Sequence, residues 1–408
     1  MTETTQETET PQELFNPFTP GFDENPYEHY RTLRDTNPVH DHPMGFWFVS
    51  RHADVSTLLR DPRLSVADRN LADGPMREQF EQLADAPVSL VSMMDSDPPD
   101  HTRLRSLVGK VFTPRSVAAL EPMVTELVDE SLDRIADAGS ANLIDALAFP
   151  LPFKTISAML GMPDTDIKRL LELTETLVVA LEPVGDPEVM KAIVGAEVEL
   201  SGMMQEVIAW KRNNPADDLL TSLIQAEQGG DFLSDDELVA QILLLYIAGH
   251  HTTVNLIGNG VAALLRHPDQ LALLRSNPDL IGNGVEEFLR YDSPTHQTRR
   301  ITLAPYPLAG REVPAGTMMI ACLGSANRDE RVFGPDADVL RLDREQARQH
   351  VSFSAGAHHC LGAALARLEG RVAISRLVNR FDKLALTGPV NWNGRINLRG
   401  ATNIPVSV

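Results

Sequence analysis

The stretch Phe353-Ser-Ala-Gly-Ala-His-His-Cys-Leu-Gly362 decides how the chain is read. It places one cysteine, Cys360, between glycines and directly ahead of a helical pattern, AALARLEGRVAISRL. A sulfur at a helix start is favoured as a thiolate, because the free N–H groups of the first turn point at it and the macrodipole adds positive potential. Gly356 and Gly362 permit a tight turn and the close approach of a large flat partner. Two other readings stand beside this one. The cysteine can be a small buried hydrophobe, as free cysteines commonly are. It can also be a zinc ligand with His358 and His359, but no second ligand pair at zinc spacing accompanies it. The flanking pattern favours the thiolate.

Composition bounds the rest. The 408 residues are 43% hydrophobic, ample for a large core. No Pro/Gly/Ser-rich linker and no internal repeat divides them, so 15–408 reads as one domain behind an acidic, disordered tail at 1–14. That tail lacks the basic and apolar regions of a signal peptide, and no apolar run reaches membrane-spanning length. Cys322 and Cys360 form no disulfide framework, which fits a reducing cytoplasm. Cys322, in the run MMIACL, reads as core. With 36 basic against 57 acidic residues the net charge is −21, which argues against nucleic acid and against an anionic membrane surface. A local basic patch remains open: Arg103, Arg105, Lys110, Arg115, Arg367 and Arg371 read equally as a docking patch or as solvated helix faces. A monomer is the default expectation.

The hydrophobic periodicity predicts a mainly α chain with minor β. Ser234-Asp-Asp-Glu237 is a capping box, and it opens a helix of about thirty residues that ends at His267-Pro268. This helix is apolar nearly all round until Gly249, as befits a helix through a protein's middle. A second helix spans Asp279 to Tyr291, strands fall between Arg299 and Ser325, and a third helix runs from Leu361 to Phe381. Short strands and turns close the chain after Asn391. Within the central helix, Ala248-Gly-His-His-Thr-Thr253 interrupts the apolar run. Gly249 weakens the helix there, and the Thr252 hydroxyl can bond the Ala248 carbonyl four residues back, so a local groove can open.

These motifs together resemble the cytochrome P450 family. Its heme loop reads F-x-x-G-x-[H/R]-x-C-x-G, and Phe353, Gly356, His358, Cys360 and Gly362 match; Ser354 stands where many bacterial members have glycine. The hexad resembles A-G-x-[D/E]-T-T, matched at Ala248, Gly249, Thr252 and Thr253, with His251 in place of the acid. His101 and Arg105 resemble the H-x-x-x-R pair that binds heme propionates. Arg300, His350 and His358 fall at further propionate positions. Glu287 and Arg290 resemble the buried E-x-x-R pair, with Arg344 as its third member, although Val339 stands where the family's Pro-Arg-Phe element has arginine. The resemblance covers about 15–408 and brings four motifs in family order.

It implies a helix-rich triangular prism with small β-sheets, and heme b between the central helix and the Cys360 loop. Cys360 is then the axial iron ligand, whose thiolate favours O–O cleavage. Ala248, Gly249 and Thr252 face oxygen. His251 can relay protons near neutral pH, or a water chain on Thr252 can suffice, or the reaction needs less conventional proton delivery. The implied activity is a monooxygenase fed by NAD(P)H through a reductase and ferredoxin. It would hydroxylate or epoxidise a small molecule, with oxidative coupling or a non-catalytic heme-thiolate sensor as alternatives. Leu244, Leu245 and Ala248, the loop 71–94 and residues near Leu177 to Leu181 are expected to line its pocket. His296, Gln297, Thr402 and Asn403 would add polar contacts, which points to a substrate with several hydrogen-bonding groups, such as those of secondary metabolism.

Overall fold

The computed structural model describes residues 14–74, 76–78, 92–110, 112–163, 167–228 and 230–408. Apart from Leu14, the expected acidic tail lies outside them. The helices that build the site are α1 (Pro26–Thr36), α2 (His52–Arg60), α3 (Asp100–Gly109), α4 (Glu121–Ala138), α5 (Pro150–Leu160), α6 (Ile167–Val178), α7 (Pro187–Asn213), α8 (Asp235–Arg266), α9 (Ile281–Tyr291) and α10 (Ala363–Arg380). Among the described residues no helix is long and apolar enough to cross a membrane.

The capping box fixes where α8 starts. Ser234 Oγ accepts from the Glu237 N–H at 3.2 Å, and Glu237 Oε2 accepts from the Ser234 N–H at 2.9 Å, so two otherwise orphaned donors are satisfied. At the other end His267 Nδ1 lies 2.8 Å from the Ala263 carbonyl before Pro268 begins the next helix. The 32 residues between are buried on every face from Leu238 to Leu264. Such a helix has no solvent side, so its neighbours must cover it all round. They do: α5, α6, α7, α9 and α10 all pack on α8. The backbone stays helical through Gly249, where the missing side chain lets α5 close in. A Cβ there would sit 2.8 Å from Ile156 Cδ1.

A five-stranded sheet forms the β part. Its members are β1 (Val39–His42), β2 (Phe46–Val49), β3 (Leu64–Ser65), β4 (Gln297–Thr302) and β5 (Met318–Cys322), in the order β1-β2-β5-β4-β3. Only the β5–β2 pairing is parallel. The register sets Met319 opposite both Trp47 and Arg300, which anchors Arg300 on an interior strand. Cys322 is fully buried, as expected for core, and burial pushes its thiol up to about 12.

Two boundaries differ from the sequence reading. Pro278–Leu280 forms a separate 3₁₀ turn, so α9 begins at Ile281 rather than Asp279. Residues Leu323–Ala326 coil into one helical turn where a strand was expected. The Glu287–Arg290 pair, an ordinary surface pair by spacing alone, has both side chains fully buried. Glu287 accepts from Arg290 Nε and Nη2 at 2.7 and 2.8 Å, from Arg344 Nε at 3.2 Å, and from the Arg341 N–H at 2.9 Å. Both arginines also donate to the Val339 carbonyl, at 3.2 and 2.9 Å. Position 339 therefore serves through its backbone, and its side chain is about half exposed.

Removing the shared carboxylate would leave the buried Arg290 guanidinium without its counter-charge and Arg344 with Asp336 alone. Glu287→Ala is expected to destabilise the fold by about 3–5 kcal/mol in urea unfolding. A loss below about 1 kcal/mol, the scale of a surface pair, would contradict the network.

Candidate active site

The Cys360 loop is closed by its own backbone. The Cys360 N–H donates to the Phe353 carbonyl at 2.8 Å, and the Ser354 N–H donates to the Val351 carbonyl at 2.8 Å. Gly356 turns the chain at a φ of 68°, and a Cβ there would lie 2.7 Å from the Leu59 carbonyl oxygen. Only glycine fits both constraints. Its absent side chain serves a close contact with the end of α2, whereas the sequence reading assigned it to a flat partner. Gly362, the N-cap of α10, has an ordinary φ of −80°. Phe353 is buried, with the Arg367 guanidinium 4.5 Å above its ring.

Cys360 is exposed to solvent contact, yet protein atoms crowd it enough that burial pushes its thiol up. That combination describes a sulfur on the floor of a cleft. The Gly362 and Ala363 N–H groups, with Arg105 and Arg367, pull the other way without prevailing. The helix start alone therefore does not make the thiolate expected from sequence; a bound cation that ligates the sulfur would deprotonate it outright.

Beside the sulfur, four expected residues converge. The His101 and His358 rings lie 4.2 Å apart. Burial and then the neighbouring His101 and Arg300 hold His358 down at about 3, and burial lowers His101 as well. Arg105 donates to the His359 carbonyl at 2.5 Å. Arg300 is 3% exposed, and among the described residues its guanidinium bonds only carbonyls, of Arg299 at 2.7 Å and Leu59 at 3.4 Å. Burial drops its pKa to about 10. His101 Nε2 is buried without a partner. A buried guanidinium and an orphaned imidazole nitrogen call for an anion. Two carboxylates beside an accessible sulfur meet that requirement, so the residues present fit heme.

His350 does not join them. Its Nδ1 accepts from the Ser352 N–H at 3.1 Å, which leaves Nε2–H to donate to Glu286 at 3.0 Å. With both nitrogens committed to protein, it is a strut rather than a propionate ligand. Burial would raise the Glu286 carboxyl, but His350 and Arg367 outweigh it and bring it down to about 2.

Across the cleft, Thr252 Oγ1 donates to the Ala248 carbonyl at 2.6 Å, the back-bond expected from sequence. Leu244, Leu245 and Ala248 belong to the same apolar cluster as Leu361, the residue after Cys360. The cysteine loop and this part of α8 thus share one interior. His251 is buried, and its Nε2 lies 2.7 Å from Glu175 Oε1 on α6. Glu175 carries no motif, and it lies on α6 with another acid, Glu172, three residues before it, so nothing in the sequence singles it out.

The polar pocket expected from sequence largely dissolves. His296 is 1% exposed, packed between the Tyr27 and Tyr30 hydroxyls at 3.2 and 3.1 Å, and burial lowers it to about 3. It belongs to a packed core cluster with Asp292 and Arg399. Thr402 and Asn403 lie on β7 (Ala401–Asn403), paired with β6 (Asn391–Trp392), and both side chains bond Asn391. Gln297 differs: its Nε2 is buried without a partner. Leu177 and Val178 are buried at the end of α6. Residues 75 and 79–91 of the expected pocket loop lie outside the described residues.

Comparison with known proteins agrees with this geometry. The family model described as Cytochrome P450 matches residues 64–391. Cytochrome P450 107B1 of Saccharopolyspora erythraea is 40% identical over 372 residues, 88% of each chain. The vitamin D(3) 25-hydroxylase of Pseudonocardia autotrophica is 41% identical over 412 residues, 98% of each. Among solved structures, the cytochrome P450 PksS of the Bacillus subtilis 168 bacillaene polyketide synthase superposes with a TM-score of 0.87 at 32% identity, over 97% of this chain and 99% of that one.

One position in the loop is strained. Ser354 adopts a φ of 57°, a left-handed conformation that costs an L-residue about 1–2 kcal/mol. Glycine would relieve this and lose about 0.5–1 kcal/mol to chain entropy. Ser354→Gly is therefore expected to stabilise the heme-loaded protein by up to about 1.5 kcal/mol. Denaturant unfolding would measure it, and a destabilised variant would refute the strain.

Proposed function

The chain belongs to the cytochrome P450 family, and we propose that this monooxygenase oxidises a bulky, largely apolar small molecule of secondary metabolism with electrons from a ferredoxin-type partner. The observation that carries the reading is the accessible Cys360 sulfur beside two guanidiniums and two imidazoles that, among the described residues, make no hydrogen bond to a carboxylate. Heme bound there supplies the means to activate dioxygen and to insert one of its oxygen atoms into the substrate. Cys360 would hold the iron through its sulfur, and the first N–H groups of α10 would steady the sulfur's charge. His101, Arg105, Arg300 and His358 would hold its propionates.

Across the cleft from Cys360, the Thr252 proton is spent on the Ala248 carbonyl. Its oxygen lone pairs are thus left to accept from a water, which the hydroxyl positions. His251 takes the place of the family's acid, and Glu175 supplies the carboxylate that position lacks. Glu175 is partly exposed and touches buried His251, so a proton moves from solvent through the pair toward the cleft. Leu244, Leu245 and Ala248 exclude water and present an apolar wall. With His296, Thr402 and Asn403 committed elsewhere, Gln297 is the remaining polar contact, and the substrate is less polar than the sequence suggested. The named activities of two relatives, on vitamin D(3) and in polyketide biosynthesis, agree with that class.

Electrons arrive from NAD(P)H through a reductase and ferredoxin. Of the basic residues considered for docking, Arg103, Arg367 and Arg371 pair with Glu237, Glu286 and Glu121. Arg115 stays exposed on the short helix Pro114–Ala118, which packs on α10, and it offers positive charge to an acidic partner.

Carbon monoxide added to the reduced protein should give the red-shifted Soret band of a thiolate-bound heme. The band should vanish in Cys360→Ala; its survival there would refute the ligand assignment. With a surrogate ferredoxin pair, Glu175→Gln and His251→Phe should each lower product formed per NAD(P)H by about tenfold or more, with the carbon monoxide band unchanged. Undiminished coupling in both would remove the pair from proton delivery, and isotopic oxygen missing from the product would replace hydroxylation with coupling.

A further inference from the structure

Beside Thr252, three side chains turn their ligand atoms toward one point. They are His250 and His251 of α8 and Glu175 of α6, and one ligand atom from each lies within 4.8 Å of the other two. The two rings are 4.8 Å apart, centroid to centroid. His250 is 1% and His251 7% exposed. His250 Nδ1, His251 Nε2 and Glu175 Oε1 are all buried, and none makes a well-formed hydrogen bond. The 2.7 Å approach of Glu175 Oε1 to His251 Nε2 is thus a close contact without good donor alignment. Three buried polar atoms of one cluster thus lack a well-formed partner, which is a costly arrangement.

The partner of His250 fixes its tautomer. Nε2 lies 3.0 Å from the Phe149 carbonyl, which can only accept, so Nε2 carries the proton and Nδ1 presents a bare lone pair. A backbone carbonyl holding the far nitrogen is the usual support of a metal-binding histidine. Phe149 and Phe153 pack edge-on against His250 and keep the site dry on that side.

We propose that His250 Nδ1, His251 Nε2 and Glu175 Oε1 form a binding site for a borderline divalent cation of the zinc class, tying α6 to α8 beside the oxygen-side threonine. Two imidazoles and one carboxylate are a zinc donor set that leaves a fourth position open. Zinc bonds to such ligands are about 2.0–2.2 Å long, which sets tetrahedral ligand atoms about 3.3 Å apart. The side chain of Glu175, partly exposed on α6, is the arm that closes the remaining distance. The ion uses the same lone pairs that the proposed proton route needs. In this one respect the inference rests on that reading: bound zinc blocks proton entry and suppresses turnover.

Calorimetric titration of the heme-loaded protein with Zn²⁺ tests the site without turnover, since iron occupies the Cys360 sulfur. One Zn²⁺ per chain is expected, weakened at least tenfold in each of His250→Gln, His251→Gln and Glu175→Gln. Zinc-edge X-ray absorption should show only nitrogen and oxygen neighbours at about 2.0–2.1 Å. Glu175→Gln lies on a partly exposed face, and its heme spectrum verifies the fold, so it serves if a histidine variant fails to fold. Absence of stoichiometric binding, wild-type affinity in all three variants, or sulfur in the zinc shell would each overturn the proposal. Zinc that binds there without slowing turnover would leave the site standing and remove the proton route instead.

Discussion

Two neighbouring carboxylates on one buried helix hold the cysteine loop in place. Glu287 faces Arg290 and Arg344, while Glu286 faces His350 and Arg367. Desolvating the buried arginines and carboxylates costs several kcal/mol per ion, and only closely matched hydrogen bonds offset it. Arg290 and Arg344 accordingly spend their other donors on the carbonyls of Asn327, Phe333, Asp336, Ala337 and Val339. The long irregular stretch before the loop is thereby tied to α9 at many points. His350 fixes the loop's entry, and Arg367 fixes the first turns of α10. The cysteine's position is thus set by charges that never touch it.

That arrangement explains which parts of the site were legible in the sequence. Cys360, Gly356, Thr252, Glu287 and Arg290 could be read because each satisfies a local rule: a helix start, a positive φ, a back-bond four residues away, a pair three apart. Arg344 followed from family position, and its hydrogen bonds agree. His350 was misread because its distance from Phe353 says nothing of Glu286, which approaches from another helix. His296 was misread for the same reason: a histidine just ahead of a strand looks available until two tyrosines from α1 close on it. The fold itself was more legible than the site. The central helix announces both of its ends, by a capping box and by a proline, and its all-round apolarity places it inside.

Thr402 and Asn403 illustrate a different limit. Short strands near a chain end have too few residues for alternation to say which face is buried. Both residues bond Asn391 across a two-stranded ribbon, so their polarity serves the ribbon rather than a ligand. The interior face of α8, by contrast, is apolar at Leu244, Leu245 and Ala248, which supports the less polar substrate proposed above.

The exchange of an acid for His251 relocates a charge instead of deleting it. A carboxylate on α8 would be fixed by the helix that carries it. Here the carboxylate stands on α6, and the 2.7 Å contact exists only while α6 keeps its place on α8. That place is set by Leu170, Leu173 and Leu177, packed in the same cluster as Leu244 and Tyr246. Apolar packing is non-directional, whereas a contact at hydrogen-bond distance fails beyond about 3.5 Å. A displacement of α6 by about 1 Å would thus separate the pair while leaving most of the apolar contact intact. The oxygen side of this protein is therefore more sensitive to the position of α6 than the cysteine side, where carboxylates and guanidiniums lock every segment to α9.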